Sequence, residues 1–153
     1  MQFLIDATAA IIVILVMLML ATAMVNLFFR VPFVPSRMAS VKKMVKAAKL
    51  KKGEIVYDLG CGDGRLLIEA AKKQNVEAEG FETAPIPFLL AMFQKFLQKS
   101  KIKLHFSNFF KINLKDADVI FCYLGPEVMN KLCGKFKKEC KKGTRIISNT
   151  FKM

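Results

Sequence analysis

At 153 residues the chain can hold one domain and an appendage, and its 54% hydrophobic content is high for a protein wholly in water. A formal charge of +13 points to an anionic partner, either a membrane surface or nucleic acid. The four cysteines, Cys61, Cys122, Cys133 and Cys140, make no C-x-x-C pair, and His105 is the single histidine, so the composition excludes a recognisable metal site and no metal is expected. The cysteines read as small apolar residues of a reducing compartment, and His105 as a strand-end residue without a chemical role.

The apolar excess lies at the N-terminus. From Ala7 to Phe29 no residue is charged, and only Thr8, Thr22 and Asn26 are clearly polar. About 20 apolar residues cross a hydrocarbon core of ~30 Å, so residues 1–30 are expected to form a transmembrane anchor. Ala21-Thr22-Ala23 resembles a signal-peptide cleavage site. Residues 1–6 lack the basic residues of a signal, however, and the apolar run is longer than a signal's core, which favours an uncleaved anchor. All 25 Lys and Arg follow this run, whereas Asp6 alone of the 12 acids precedes it. The positive-inside rule then places the remainder on the cytoplasmic side of a single-pass membrane protein. With a span already present, the membrane outranks nucleic acid as the partner of the basic charge.

Residues 31–53 read as linker and lead helix. Each proline of Val31-Pro32-Phe33-Val34-Pro35 fixes its own φ and restrains its predecessor, giving a stiff extended segment. Ser36 is a fair N-cap. Met38, Val41, Met44, Val45 and Ala48 recur at helical spacing, predicting a helix over about 37–50 that Gly53 terminates. From residue 54 onward short apolar runs alternate with helical patterns. Strands are expected at 55–59, 77–81, 101–106, 116–123 and 144–150, with helices at about 64–74, 86–98 and from Pro126 onward. This repetition makes the fold α/β: a Rossmann-like, doubly wound parallel sheet of about five strands, with its ligand site outside the strands' carboxyl ends. The helix after Pro85 carries Phe88, Leu89, Leu90, Phe93, Phe96 and Leu97, an apolar set too broad for one core face, so that part of it is expected to meet lipid or a partner.

Between the first strand and the first helix of the repeat stands Tyr57-Asp58-Leu59-Gly60-Cys61-Gly62-Asp63-Gly64-Arg65. Its glycines permit a tight turn and a close approach of ligand to bare backbone, and the helix that follows offers unpaired N–H groups. The G-x-G-x-G spacing is one residue shorter than a dinucleotide fingerprint, and no Lys-Ser/Thr follows as a P-loop requires. Asp58 and Asp63 would repel a pyrophosphate. They suit a ligand with an ammonium and a sulfonium, as S-adenosyl-L-methionine (SAM) has. Glu82 ends the second strand, 24 residues after Asp58, where an acid can accept two hydrogen bonds from a ribose diol. The candidate cofactor-binding residues are therefore Asp58, Gly60, Cys61, Gly62, Asp63, Gly64 and Glu82. The run from Asp58 to Gly64 resembles the first motif of class I SAM-dependent methyltransferases.

Further elements narrow the resemblance. The span, Pro32-Phe33-Val34-Pro35, the lead helix and the glycine motif are followed by Asp116-Ala117-Asp118-Val119, Tyr123-Leu124-Gly125-Pro126 and Gly143-Thr144-Arg145-Ile146-Ile147-Ser148. Together they resemble the membrane-anchored protein-lysine methyltransferases that act on the ATP synthase c subunit and the adenine nucleotide translocase, and their short prokaryotic relatives. The resemblance implies a SAM-dependent methyltransferase with a protein lysine as acceptor, a membrane protein being the favoured substrate. It places the loop after the third strand beside adenine, so that Asn108 and Phe109 join the cofactor residues. Asn108 stands where many relatives have an acid, and Phe109 or Phe110 could stack on the base or pack in the core. Tyr123 and Pro126, with Leu124, stand where other amino-methylating families carry Asn/Asp-Pro-Pro-Tyr; they are the candidate catalytic residues, forming the wall around the acceptor amine. The rival readings are a methyltransferase acting on a lipid, quinone, other small molecule or RNA, and a non-catalytic SAM-binding or interaction module. Class I methyltransferases usually have seven strands, so residues 54–153 are expected to form a SAM-binding domain without the usual last strands. Its fifth strand would be an open edge through which a homo-oligomer could form.

Overall fold

The computed structural model describes residues 1–29, 36–73 and 75–149. The proline linker, and residues 74 and 150 at the expected ends of a helix and a strand, lie outside these. Five strands, β1 (Ile55–Leu59), β2 (Glu77–Glu82), β3 (Lys103–Phe106), β4 (Val119–Cys122) and β5 (Arg145–Ser148), form one sheet in the order β3-β2-β1-β4-β5. All neighbouring pairs are parallel. The helices are α1 (Gln2–Phe29), α2 (Met38–Ala48), α3 (Arg65–Lys73), α4 (Pro85–Leu97) and α5 (Pro126–Glu139). The expected doubly wound sheet is present, and its strand order reverses between β1 and β4, where such folds bind ligands.

All four residues of β4 are buried, as a strand covered on both faces must be. Val119 and Phe121 meet Val56 of β1, Val41, Met44, Val45 and Ala48 of α2, and Leu66, Leu67 and Ile68 of α3 in one apolar cluster. Ile120 and Cys122 meet Leu59 on the opposite face, where Val128, Met129, Leu132 and Phe136 of α5 close over them. The segment between β3 and β4 adds Phe109, Leu114 and Ala117 to this second cluster. Each fully buried Leu, Ile or Phe stabilises by about 1.5–3 kcal/mol, so the two clusters hold the helical layers to the sheet.

Most element ends lie within a residue or two of expectation, and three of the differences have a visible cause. α2 stops at Ala48 because Lys49 takes the left-handed conformation (φ 47°) and bonds its N–H to the Lys46 carbonyl. Gly53 (φ 82°) instead shapes the turn into β1 and donates its N–H to the Asn75 carbonyl at 2.8 Å. β3 begins at Lys103, since the chain as far as Ser100 is still closing α4: the Ser100 N–H reaches the Lys95 carbonyl at 3.0 Å. β4 begins at Val119, because Ala117 N–H turns back to the Leu114 carbonyl at 3.2 Å.

A polar clasp joins the amino ends of the central strands. Asp118 Oδ2 accepts the Ile55 N–H at 2.9 Å and Oδ1 meets the Lys141 ammonium at 2.6 Å. The Lys141 hydrogen bond, helped by that from Ile55, holds the Asp118 carboxyl below its ordinary range. Arg145 reaches Glu54 Oε2 at 2.5 Å and the Lys49 carbonyl at 3.3 Å, and Thr144 Oγ1 donates to the Ala117 carbonyl at 2.8 Å. The Asp-Ala-Asp-Val and Gly-Thr-Arg-Ile motifs are thus scaffold, at the opposite end of the sheet from the ligand site.

Candidate active site

β1 runs directly into the glycine turn. Gly60, Gly62 and Gly64 have φ of 79°, 56° and 76°, left-handed values that glycine adopts without a Cβ penalty. The turn is tied to the end of β2, since Gly60 and Cys61 both donate their N–H to the Phe81 carbonyl, at 2.9 and 3.2 Å. Close packing surrounds it: a Cβ on Gly60 would lie 3.1 Å from Leu124 Cδ2, and one on Gly64 3.4 Å from Ala91 Cβ.

Glu82 brackets two loops. Its Oε2 accepts the Gly62 N–H at 2.9 Å, and its Oε1 accepts those of Thr83 and Ala84 at 2.8 and 2.9 Å. A ribose diol would meet a carboxylate already fixed in place, with one of its roughly four lone-pair sites unused. Asp58 is different. It is 5% exposed, and no donor among the described residues hydrogen-bonds its carboxylate. Burial, then the charges of Glu82 and Asp63, push it up to about 8. A buried acid beside two other acids, with no cation among the described residues against it, is electrostatically incomplete. A ligand bearing an ammonium and a sulfonium would complete it, so the residues present fit SAM.

Asp63 has a partner that the sequence did not indicate. Its two oxygens each accept from Arg65 Nε at 2.9 Å, Arg65 Nη2 also contacts it, and Arg65 Nη1 donates to the Ser36 carbonyl at 2.8 Å. Arg65, held by Asp63, thereby fastens the start of α3 to the segment that enters α2. The Cys61 thiol points into the core, where burial pushes it well above its ordinary value, so only its backbone faces the turn. Gly80, not singled out from sequence, makes this seating possible. A Cβ there would fall 2.6 Å from Leu67 Cδ1 and 2.8 Å from Cys61 Sγ. An isolated glycine within a strand is a general sign of close approach, the one signal that could have found it.

Asn108 Oδ1 accepts the Phe110 N–H at 2.9 Å and shapes the loop after β3. Phe109 is buried in the core cluster, its ring 4.8 Å from that of Phe110, which is half-buried and the more accessible of the two. After β4, Tyr123 is half-buried, Leu124 is buried against the glycine turn, and Pro126 is exposed at the first turn of α5. Asp58 and Glu82 lie at the carboxyl ends of β1 and β2, and the glycines, Asn108 and Tyr123 follow the carboxyl ends of β1, β3 and β4. His105 lies within β3, stacked 4.9 Å from Phe81 and bonded to Glu79 at 2.9 Å, away from this group.

Residues 58–153 match the ANTKMT methyltransferase domain family. The chain belongs to that family. Similar proteins include a protein-lysine N-methyltransferase of Saccharolobus islandicus, 39% identical over 126 residues that cover 80% of this chain and 78% of that protein. The Homo sapiens lysine N-methyltransferase of the ATP synthase c subunit is 28% identical over 122 residues, 78% of this chain and 52% of its own length. The Mus musculus adenine nucleotide translocase lysine N-methyltransferase is 28% identical over 129 residues, 83% and 56% respectively. The chain therefore spans about half the length of these mammalian relatives. An RNA methyltransferase from Salinibacter ruber, solved with S-adenosyl-L-homocysteine (SAH), aligns at a TM-score of 0.72 and 27% identity over 75% of this chain and 76% of that one. A SAM-dependent methyltransferase from Geobacter sulfurreducens, also with SAH, shares the fold at a TM-score of 0.62 and 17% identity over 72% and 47%. The ANTKMT-type domain is thus a SAM-dependent methyltransferase, as the glycine motif implied.

Proposed function

We propose that the chain is a membrane-anchored protein-lysine N-methyltransferase whose acceptor is a lysine of a membrane protein, working from the cytoplasmic side. The observation that carries this reading is the meeting of two loops. The glycine turn, with its incomplete buried Asp58, is pressed by Leu124 against the Tyr123–Pro126 loop, so donor and acceptor walls adjoin. The protein-lysine acceptors named for its relatives support the choice of substrate.

SAM supplies a methyl on a sulfonium, which a neutral amine takes in line as the S–C bond breaks and its electron pair passes to sulfur. The acceptor ammonium must first give its proton to solvent. The chain's part is placement and desolvation. Asp58 balances the ligand's positive charge, Glu82 holds the ribose diol, and the backbone of Gly60 to Gly64 lets the ligand approach. Asn108 and the Phe109–Phe110 pair flank the adenine. Tyr123 and Pro126 wall the acceptor entrance, where the Tyr123 hydroxyl or nearby carbonyls accept from the amine and aim it. Tyr123→Phe should lower kcat while leaving SAH affinity unchanged.

The anchor reading rests on α1, whose Ile5–Val25 stretch is long and apolar enough to cross a membrane. Sidedness rests on the basic residues, all of which follow it. Protease added to intact cells should spare the domain; its digestion would reverse the orientation. The central test is incubation of the protein with radiolabelled SAM and host membranes. Label should appear in protein as methyl-lysine and vanish with Asp58→Ala. Label in RNA would favour instead the acceptor of the Salinibacter ruber relative, label in lipid a lipid acceptor, and bound SAM without turnover a non-catalytic module.

A further inference from the structure

α4 is built inside out for a helix in water. Its inward residues are small or polar: Ala91 is fully buried against Gly64, Pro87 is buried, and the half-buried Gln94 lines a groove with Ile68 and Lys72 of α3. Its large apolar residues point the other way. Leu89, Met92, Phe93 and Phe96 follow the i, i+3, i+4, i+7 spacing of one helical face. With Leu90 and Leu97 they are between 42% and 78% exposed, Phe96 the most. Phe106, at the end of edge strand β3, is also exposed and extends the patch through Phe88, the two ring centroids lying 5.2 Å apart. Soluble monomers rarely leave so many large apolar residues contiguous and uncovered.

The position of α4 says what covers this face. The Ile86 N–H at its start donates to Thr22 Oγ1 of α1 at 3.2 Å, and Thr22 lies inside the Ile5–Val25 stretch, near its end. The apolar face therefore continues from the span itself. At 13 residues α4 is about 20 Å long, too short to cross the hydrocarbon core. Lys95, Lys99 and Lys101 at its far end carry the charge that anionic headgroups attract.

We propose that the outer face of α4, together with Phe106, is a second membrane-contacting element: an interfacial helix lying in the cytoplasmic leaflet beside the anchor. The inference rests on reading α1 as a span. It also fixes where the chemistry occurs. Glu82, at the donor site, is four residues before Ile86, so the site is held at headgroup level and the acceptor is a lysine at the membrane–water boundary.

The chain has no tryptophan, so a single introduced one reports alone. Phe96→Trp and, separately, Ile14→Trp would be made in the full chain and reconstituted into phosphatidylcholine–phosphatidylglycerol vesicles. The phosphatidylcholine would be unlabelled, brominated near the headgroup end of its acyl chain, or brominated near the bilayer centre. Phe96→Trp should fluoresce at short wavelength and lose most of its emission to the shallow bromines. Ile14→Trp should be quenched mainly by the deep ones. Long-wavelength, unquenched emission from Phe96→Trp, with Ile14→Trp still quenched, would place α4 in water and overturn the inference while leaving the anchor. Short-wavelength but unquenched emission would show α4 covered by protein, a second copy included, and would overturn it too. If neither variant is quenched, the anchor reading fails and the inference falls with it.

Discussion

Asp58 carries a proton in the ligand-free fold across the neutral range. Its value of about 8 stands well above the ~4 of an unfolded aspartate, so its contribution to stability is full below pH ~4 and is lost as pH rises through 8. A ligand whose cation needs the carboxylate must expel that proton below pH 8. SAM affinity should therefore rise about tenfold per pH unit towards pH 8 and then level. Calorimetry in buffers of different ionisation enthalpy should detect about one proton released near neutrality, and Asp58→Asn should remove both the release and the slope. A flat affinity profile in the unmutated protein would show that Asp58 does not face the ligand's charge. Glu82 makes a different prediction. Because it anchors three backbone N–H groups, Glu82→Ala should weaken SAH binding by about 1.5–3 kcal/mol and also lower Tm without ligand. Glu82→Gln should not be benign, since its amide N–H groups must confront the N–H of Gly62 or those of Thr83 and Ala84. An unchanged ligand-free Tm in both variants would mean that the bracket adds nothing to the fold. Asp58 and Glu82 were legible in the sequence because their spacing to the glycines is local to one βαβ unit. The Asp63–Arg65–Ser36 tie and the role of Gly80 were not, since each depends on a contact between segments far apart in the chain.

Gly80 and Asp118 act on whole elements, at opposite ends of the sheet. Gly80→Ala places a methyl against the Cβ and Sγ of Cys61, which sit close to the backbone and cannot swing aside. Overpacking of this kind costs about 1–3 kcal/mol. It should also push the glycine turn off β2, so urea denaturation and SAH titration should both show a loss. Asp118→Ala removes the acceptor for the Ile55 N–H and the partner of Lys141, again about 1–3 kcal/mol. Here the clasp is remote from the ligand, and SAH affinity should hold while the urea midpoint falls. Loss of affinity in Asp118→Ala would show that the two ends of the sheet are coupled. Element identities were readable because apolar periods of 2 and 3.6 differ plainly in this chain; β1 lies where its pattern placed it. The ends were less readable. The Lys49 terminus of α2 is set by one left-handed residue that is not glycine, and β4 is shortened by a turn at 114–117 within a run that looks uniformly extended.

At the scale of the molecule, the doubly wound order followed from the alternation of strand and helix, which is interrupted between β3 and β4, while the lateral environment of the sheet did not. β5 pairs only with β4 among the described residues, and residues 145–148 are all half-buried. An edge of this kind is a template for pairing. In detergent, sedimentation should show concentration-dependent self-association, with β5 amides becoming more protected from hydrogen exchange as the species grows. A monomer with equal protection of β1 and β5 would show that the edge closes itself. The contact between Ile86 and Thr22 bears on encounter rather than stability. If α1 spans a membrane as proposed, an enzyme whose donor site is tethered so close to that span does not sample a volume. It diffuses over a surface, in the same thin layer as any acceptor embedded there, and that confinement raises the effective concentration of each for the other. Modest intrinsic affinity for the acceptor then suffices, and a lysine peptide free in solution, however well matched in sequence, forfeits that advantage.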